Sequence, residues 1–281
     1  MDESDIIKPY AEKKEHLSLV RDGSKNVIEK GYTTINFSMA SPKTKHPIPL
    51  YNHIYSSREE HFQNQNFEIV KGFDAFHSFL GEKNATFVMV RGYDNNAMFQ
   101  YVQDIGHFFV TRLIDTRYLI HRNQRIKVPD LAKRRKGKIN FETEIQGKIY
   151  NLKVSHIKVE LPIPKDTPLN MVVGYGAKPM KLLTNHAIKG KEDVPRILKG
   201  YITRWRIEEL FRVQKEEFKL EKNTCHTQVV LARARSSSAL AKIKFYLYRF
   251  IRRVSKILSF DTLGIKHFHR IEQRSSQLSL C

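Results

Sequence analysis

Residues 85–113 read Ala-Thr-Phe-Val-Met-Val, then Arg-Gly-Tyr-Asp-Asn-Asn-Ala-Met-Phe-Gln-Tyr-Val-Gln-Asp-Ile-Gly, then His-Phe-Phe-Val-Thr-Arg-Leu. The opening six form a short, nearly continuous apolar run, the pattern of a strand buried on both faces. Between Asp94 and Ile105 the residues Ala97, Met98, Tyr101, Val102 and Ile105 make the inner stripe of a helix, which Gly106 stops. Residues 107–113 return as a strand. Strand, helix and strand with short connections form a βαβ unit, so the chain belongs to the α/β class: a sheet covered by helices.

The flanks extend this pattern. Residues 31–40 alternate apolar with small or polar side chains, as a half-buried strand does, and residues 47–55 form a second strand whose two prolines suit a sheet edge or strand start. From 66 to 80 the residues Phe67, Val70, Phe73, Phe76 and Leu80 mark one helix face. The pattern changes between Arg117 and Val173. Strand-like pieces at 118–121, 148–153, 156–161 and 171–175 alternate with basic loops, including Lys-Arg-Arg-Lys-Gly-Lys at 133–138. This reads as a β-rich insertion. The parent pattern resumes with a strand at 180–184 and a long helix over most of 192–221. The expected division is therefore 1–116 and 177–224 for the two parts of the core, 117–176 for the insertion and 225–281 for a basic helical C-terminal region.

Charge narrows the partner. Among 281 residues, 49 Lys and Arg stand against 29 Asp and Glu, a net +20. Such a balance suits a polyanion: nucleic acid first, an anionic membrane surface second. Two cysteines, Cys225 and Cys281, fit a reducing compartment rather than a disulfide framework. The N-terminus is acidic, unlike a secretion signal, and no apolar run approaches the roughly 18 residues of a membrane helix. The expectation is a soluble, cytoplasmic protein with no membrane partner.

The densest chemistry lies at 201–215, Tyr-Ile-Thr-Arg-Trp-Arg-Ile-Glu-Glu-Leu-Phe-Arg-Val-Gln-Lys. On a helix, Tyr201, Arg204, Glu208 and Lys215 fall within a stripe about 60° wide, while Ile207, Leu210 and Phe211 anchor it to the core. Read as an ordinary solvated face, Arg204 and Glu208 form only an i,i+4 pair worth a few tenths of a kcal/mol. The spacing Tyr-x₂-Arg-x₃-Glu-x₆-Lys, however, resembles the signature helix of the DDE transposases of bacterial insertion sequences, in the group named for its Y-R-E-K motif. With each residue type at roughly 5%, four fixed positions recur by chance in about two chains per thousand of this length. Leu182-Leu-Thr-Asn185 precedes the helix as in that family, and Asp2-Glu-Ser-Asp-Ile-Ile-Lys-Pro-Tyr10, Val20-Arg-Asp-Gly-Ser24, Pro47-Ile-Pro-Leu-Tyr51 and Arg91-Gly-Tyr-Asp94 resemble its other blocks.

The resemblance implies a ribonuclease-H-like core, a mixed sheet flanked by helices, that cuts and rejoins DNA at the ends of a mobile element, with a homodimer on DNA as the assembly. It also implies two Mg or Mn ions held by three acidic side chains, because hard divalent cations take carboxylate oxygens. Asp2 maps onto the first acid, with Asp5 a weaker substitute, and Glu208 onto the third. Tyr201, Arg204 and Lys215 would contact DNA phosphates. The second acidic position holds Val90, which offers no lone pair; Asp94, four residues on, is a weak substitute and equally a helix cap. Only Met1 precedes Asp2, so relative to the family the first strand looks shortened. A catalytically impaired transposase is the leading expectation, and a non-catalytic DNA-binding protein on the same scaffold the alternative. Cys225-His226 and His267-Phe-His269 lack paired zinc spacing, and Gly174-Tyr-Gly176 is too short for a phosphate loop.

Overall fold

Alternating apolar and polar residues near the N-terminus build a four-stranded antiparallel sheet from β1 (Asp2–Ile7), β2 (Ser18–Asp22), β3 (Val27–Met39) and β4 (Ile48–Tyr55). The computed structural model describes residues 1–11, 14–40, 47–135, 137–145, 147–162, 168–176, 178–217 and 221. β3 is 13 residues long, enough to pair β1 along 31–36, β2 along 27–31 and β4 along 33–39. Gly31 pairs with both Ile7 and Ser18. A Cβ there would lie 2.5 Å from the Ile6 carbonyl oxygen and 2.7 Å from Val20 Cγ2, so this junction has room only for glycine. All six residues of β1 are in register with β3.

Helix α1 (Gln65–Leu80) follows, its start capped by the Asn64 side chain accepting from the Phe67 N–H at 2.9 Å. The βαβ unit forms as expected: β5 (Thr86–Met89), α2 (Asn96–Asp104) and β6 (Phe108–Arg112), with β5 and β6 parallel. One detail differs. The cap of α2 is Asn95, which accepts from the Ala97 N–H at 2.9 Å, rather than Asp94. Gly106 ends the unit's helix at φ +76°, a conformation glycine adopts without strain.

The next segment holds the hairpin β7 (Tyr118–His121) and β8 (Gln124–Lys127), the short helix α3 (Val128–Lys133), and then β9 (Ile139–Ile145), β10 (Lys148–Val159), β11 (Leu169–Tyr175) and β12 (Met180–Thr184). β10 is one strand where the sequence suggested two, because its ladder runs unbroken through Val154, which pairs with Ile139 on one side and Gly174 on the other. The six-stranded order is β5-β6-β12-β11-β10-β9. The strands read as an insertion thus continue the sheet begun by β5 and β6.

The chain then enters α4 (Asp193–Ile202), a tight turn at Thr203–Trp205, α5 (Arg206–Arg212) and a wider helical turn at Val213–Glu217. The single long helix expected over 192–221 is therefore sectioned. Thr203 Oγ1 donates to the Lys199 carbonyl at 2.8 Å, a local bond that competes with the regular helix ladder.

Strand alternation sends neighbouring side chains to opposite cores. Phe109, Met171, Val173 and Leu183 pack with Phe73, Phe99 and Val102 from α1 and α2, while Val110, Val172 and Leu182 pack with Val194, Ile197 and Leu198 of α4. The result is a mixed α/β sheet with helices on both faces. Among the described residues no helix is long and apolar enough to cross a membrane. The chain divides into Met1–Ser236 and Ser237–Cys281, and all described residues belong to the first unit. The basic C-terminal region, both cysteines and Lys136 of the basic run lie outside the described residues.

Candidate functional site

The two sheets meet where the Met1 amino group donates to the Val88 carbonyl at 2.9 Å, bringing the start of β1 next to the end of β5. The helical segment 201–215 borders this junction. It is anchored by Ile207 and Leu210, both buried; Phe211, the third expected anchor, is only half-buried. Tyr201 is also buried, packed with the α4 core, so it is not an open phosphate contact.

Arg204 links the acidic positions. Its Nη1 donates to Asp2 Oδ2 at 3.1 Å and its Nη2 to Glu208 Oε1 at 2.8 Å, joining side chains 202 residues apart. The guanidinium lies 5.9 Å from the Tyr201 ring centroid. Burial works against its charge, yet Glu208, Tyr201 and Asp2 together raise its pKa above the ordinary arginine value. Burial likewise raises the Asp2 carboxyl, opposed by the Met1 ammonium and by Arg204. One turn beyond α5, Lys215 Nζ lies 3.4 Å from Asp5 Oδ2 and 3.2 Å from a Glu221 carboxylate oxygen.

The other two expected positions behave differently. Val90 is half-buried at the end of β5 and packs against the first core with its methyl groups. Asp94 is withdrawn from the junction: its Oδ2 accepts from the Ile114 N–H at 2.7 Å, and its carboxylate pairs with Arg117, both side chains almost wholly buried. Burial raises the Asp94 carboxyl, and the Ile114 N–H and Arg117 pull it back down. Asp94 thus ties the β5–α2 connection to the segment after β6.

Sequence reasoning missed two participants. Asp5 was named only as a substitute for Asp2, yet it is the partner of Lys215. Strand alternation puts positions 2 and 5 on opposite faces, so no spacing rule places both beside one helix. Glu3 was not singled out. Its carboxylate accepts from Tyr55 at 3.0 Å and Gln65 at 2.5 Å, and burial raises its pKa.

The result is a charged rail of two acid–base–acid groups, Asp2–Arg204–Glu208 and Asp5–Lys215–Glu221. These residues do not fit a two-metal centre. Such a centre needs carboxylate oxygens converging from three positions. Val90 supplies none, and Arg204 already donates to an oxygen of each remaining acid. Among the described residues no group of three His, Cys, Asp or Glu side chains is arranged to hold a metal ion.

With this geometry defined, comparison with known proteins adds no assignment: no protein-family model matches the chain, and neither does any curated protein. What the fold and site define is a class, an α/β protein with a basic surplus and a charged rail at the junction of two sheets.

Proposed function

We propose that the chain is a ribonuclease-H-like DDE transposase scaffold of the Y-R-E-K group that binds DNA and has lost most or all strand cleavage. The observation that supports the scaffold is the Asp2–Arg204–Glu208 chain of hydrogen bonds, which unites the first and third acidic positions with the signature arginine. A mixed sheet flanked by helices on both faces agrees with it. Val90 at the second position and the guanidinium between the other two favour the non-catalytic side of the reading. No metal-dependent step is assigned to these residues. In the paired state Arg204 and Lys215 spend their charge on Asp2, Glu208 and Asp5, so a phosphate must displace a carboxylate to reach either one.

The test uses the full chain and a DNA duplex. With about six phosphates contacted, affinity measured by fluorescence anisotropy is expected to fall roughly a thousandfold between about 50 and 200 mM salt. A flat salt response would sink the DNA reading. The unaltered chain is expected to show little or no magnesium-dependent nicking, and Val90→Asp partial recovery, because it supplies the missing oxygen donors. Robust nicking by the unaltered chain, abolished in Glu208→Ala, would overturn the loss of cleavage.

A further inference from the structure

The rail leaves a question of where phosphate charge would be met, since its own cations are already paired. A concavity of ≈ 510 Å³ is lined by the β7–β8 turn, Arg135 just after α3 and the C-terminal half of β10. Its charged and titratable lining is His121, Arg122, Arg135, His156, Lys158 and one acid, Glu160. None of Arg122, Arg135 and Lys158 is in an ion pair among the described residues. Elsewhere, Arg117, Lys181, Arg204 and Lys215 all have carboxylate partners.

The backbone holds these cations in place. β7 is fastened to the end of β10 by reciprocal hydrogen bonds between Ile120 and Glu160, each 2.9 Å. His121 Nδ1 donates to the Lys158 carbonyl at 2.8 Å, and among the described residues Nε2 has no hydrogen-bond partner. Arg122 and Asn123 form the hairpin turn at φ +49° and +58°, the left-handed geometry a two-residue turn of this hand demands. Arginine is uncommon there, where Asn and Gly dominate. In the segment after α3, Tyr175 Oη donates to the Ala132 carbonyl at 2.8 Å and the Lys138 N–H to the Val154 carbonyl at 3.1 Å, so both flanks of Arg135 are tied to the sheet. Gly137 lets this segment lie close: a Cβ there would come within 2.7 Å of Lys153 Cβ. Along β10, His156 and Lys158 continue the face that carries Val154 into the core.

We infer that this cleft, lined by Arg122 of the β7–β8 turn, Arg135 after α3 and Lys158 of β10, is a binding site for a phosphate group. Guanidinium forks match phosphate oxygens two at a time, and a compact ammonium adds a point charge, so three cations around one concavity favour a doubly charged tetrahedral anion over a carboxylate. The volume falls within the roughly 300–1,000 Å³ of small-ligand sites, enough for a phosphate with its attached sugar. Burial, then Arg135 and Lys158, keep the His156 imidazole below its ordinary pKa, so a bound anion would oppose the last two influences and raise it. The inference stands on the cleft's own charges and does not depend on the transposase reading.

The experiment titrates inorganic phosphate into the full chain at constant ionic strength set with chloride, following the His156 ring resonances by NMR. Saturable binding that raises the His156 pKa is expected, weakened about tenfold in each of Arg122→Ala and Arg135→Ala, as loss of one charge-assisted contact implies. Circular dichroism checks that both variants fold, and Glu82→Ala, an exposed residue outside the cleft's lining, is expected to bind phosphate normally. Absence of a saturable response, or equal binding in the unaltered chain and both arginine variants, would overturn the site. A second arm identifies the source. Competition by a short oligonucleotide that is lost in the same variants assigns the phosphate to a nucleic-acid backbone. Variant-sensitive phosphate binding that the oligonucleotide does not compete with assigns it to a small phosphorylated ligand.

Discussion

Arg204 shows how burial decides the worth of a charge. Its two acceptors differ: the Asp2 side chain is 16% exposed, the Glu208 side chain 57%. An exposed i,i+4 pair is worth a few tenths of a kcal/mol, whereas removing one member of a buried pair leaves the other charge uncompensated at a cost of roughly 3 kcal/mol. Asp2→Ala is therefore expected to lower unfolding stability in urea by several times the loss seen in Glu208→Ala. Equal losses would mean that the guanidinium finds solvent when Asp2 is gone. Glu3, on the other pleat face of β1, carries a pH effect. Burial raises its carboxyl above the ordinary 4.5, so the folded chain holds this proton more tightly than the unfolded chain. That penalty is absent below the unfolded value and grows as pH rises through the folded one. Glu3→Gln, neutral at all pH, is expected to gain stability relative to the unaltered chain as pH rises above the ordinary 4.5, the gain levelling off once the folded carboxyl has ionised. A difference independent of pH would count against this account. Neither effect was legible in sequence, where an acidic residue near a terminus reads as solvated surface.

At the scale of elements, the helices and the strongest strands were legible because their apolar spacing is local. The stripe over 66–80 became α1, and the βαβ unit formed within one or two residues of its expected bounds. The misses share a cause. β9 and β2 are rich in charged and polar residues and become strands only by pairing with β10 and β3. The split expected in β10 disappears because neighbours on both sides continue the ladder. The helix expected over 192–221 is sectioned by turns that periodicity does not register. Asp94 was read as a helix cap or a spare ligand, but it ties elements together through Arg117 and the Ile114 N–H. Asp94→Ala is expected to lower stability by about 3–5 kcal/mol, the cost of stranding a buried cation. Thermal or urea unfolding measures it; a loss below about 1 kcal/mol would show that Arg117 re-pairs.

Over the whole molecule, composition and short-range pattern carried the α/β class, the basic surplus and a four-residue motif whose spacing is a property of one helix. From the residues alone came the stripe of Tyr201, Arg204, Glu208 and Lys215, because it is a matter of residue type and local periodicity. Tertiary structure decided what those side chains do. Tyr201 turned inward to the core, Arg204 took Asp2 as a partner 202 residues away, Lys215 took Asp5, and Asp94 left the junction. It also gathered Arg122, Arg135 and Lys158 from three elements into one cleft, where sequence showed only scattered basic loops. The physical reason is range. Backbone propensity and apolar periodicity act over a few residues and are written along the chain. Ion pairing and burial act through space, and their partners exist only once strands and helices have been brought together.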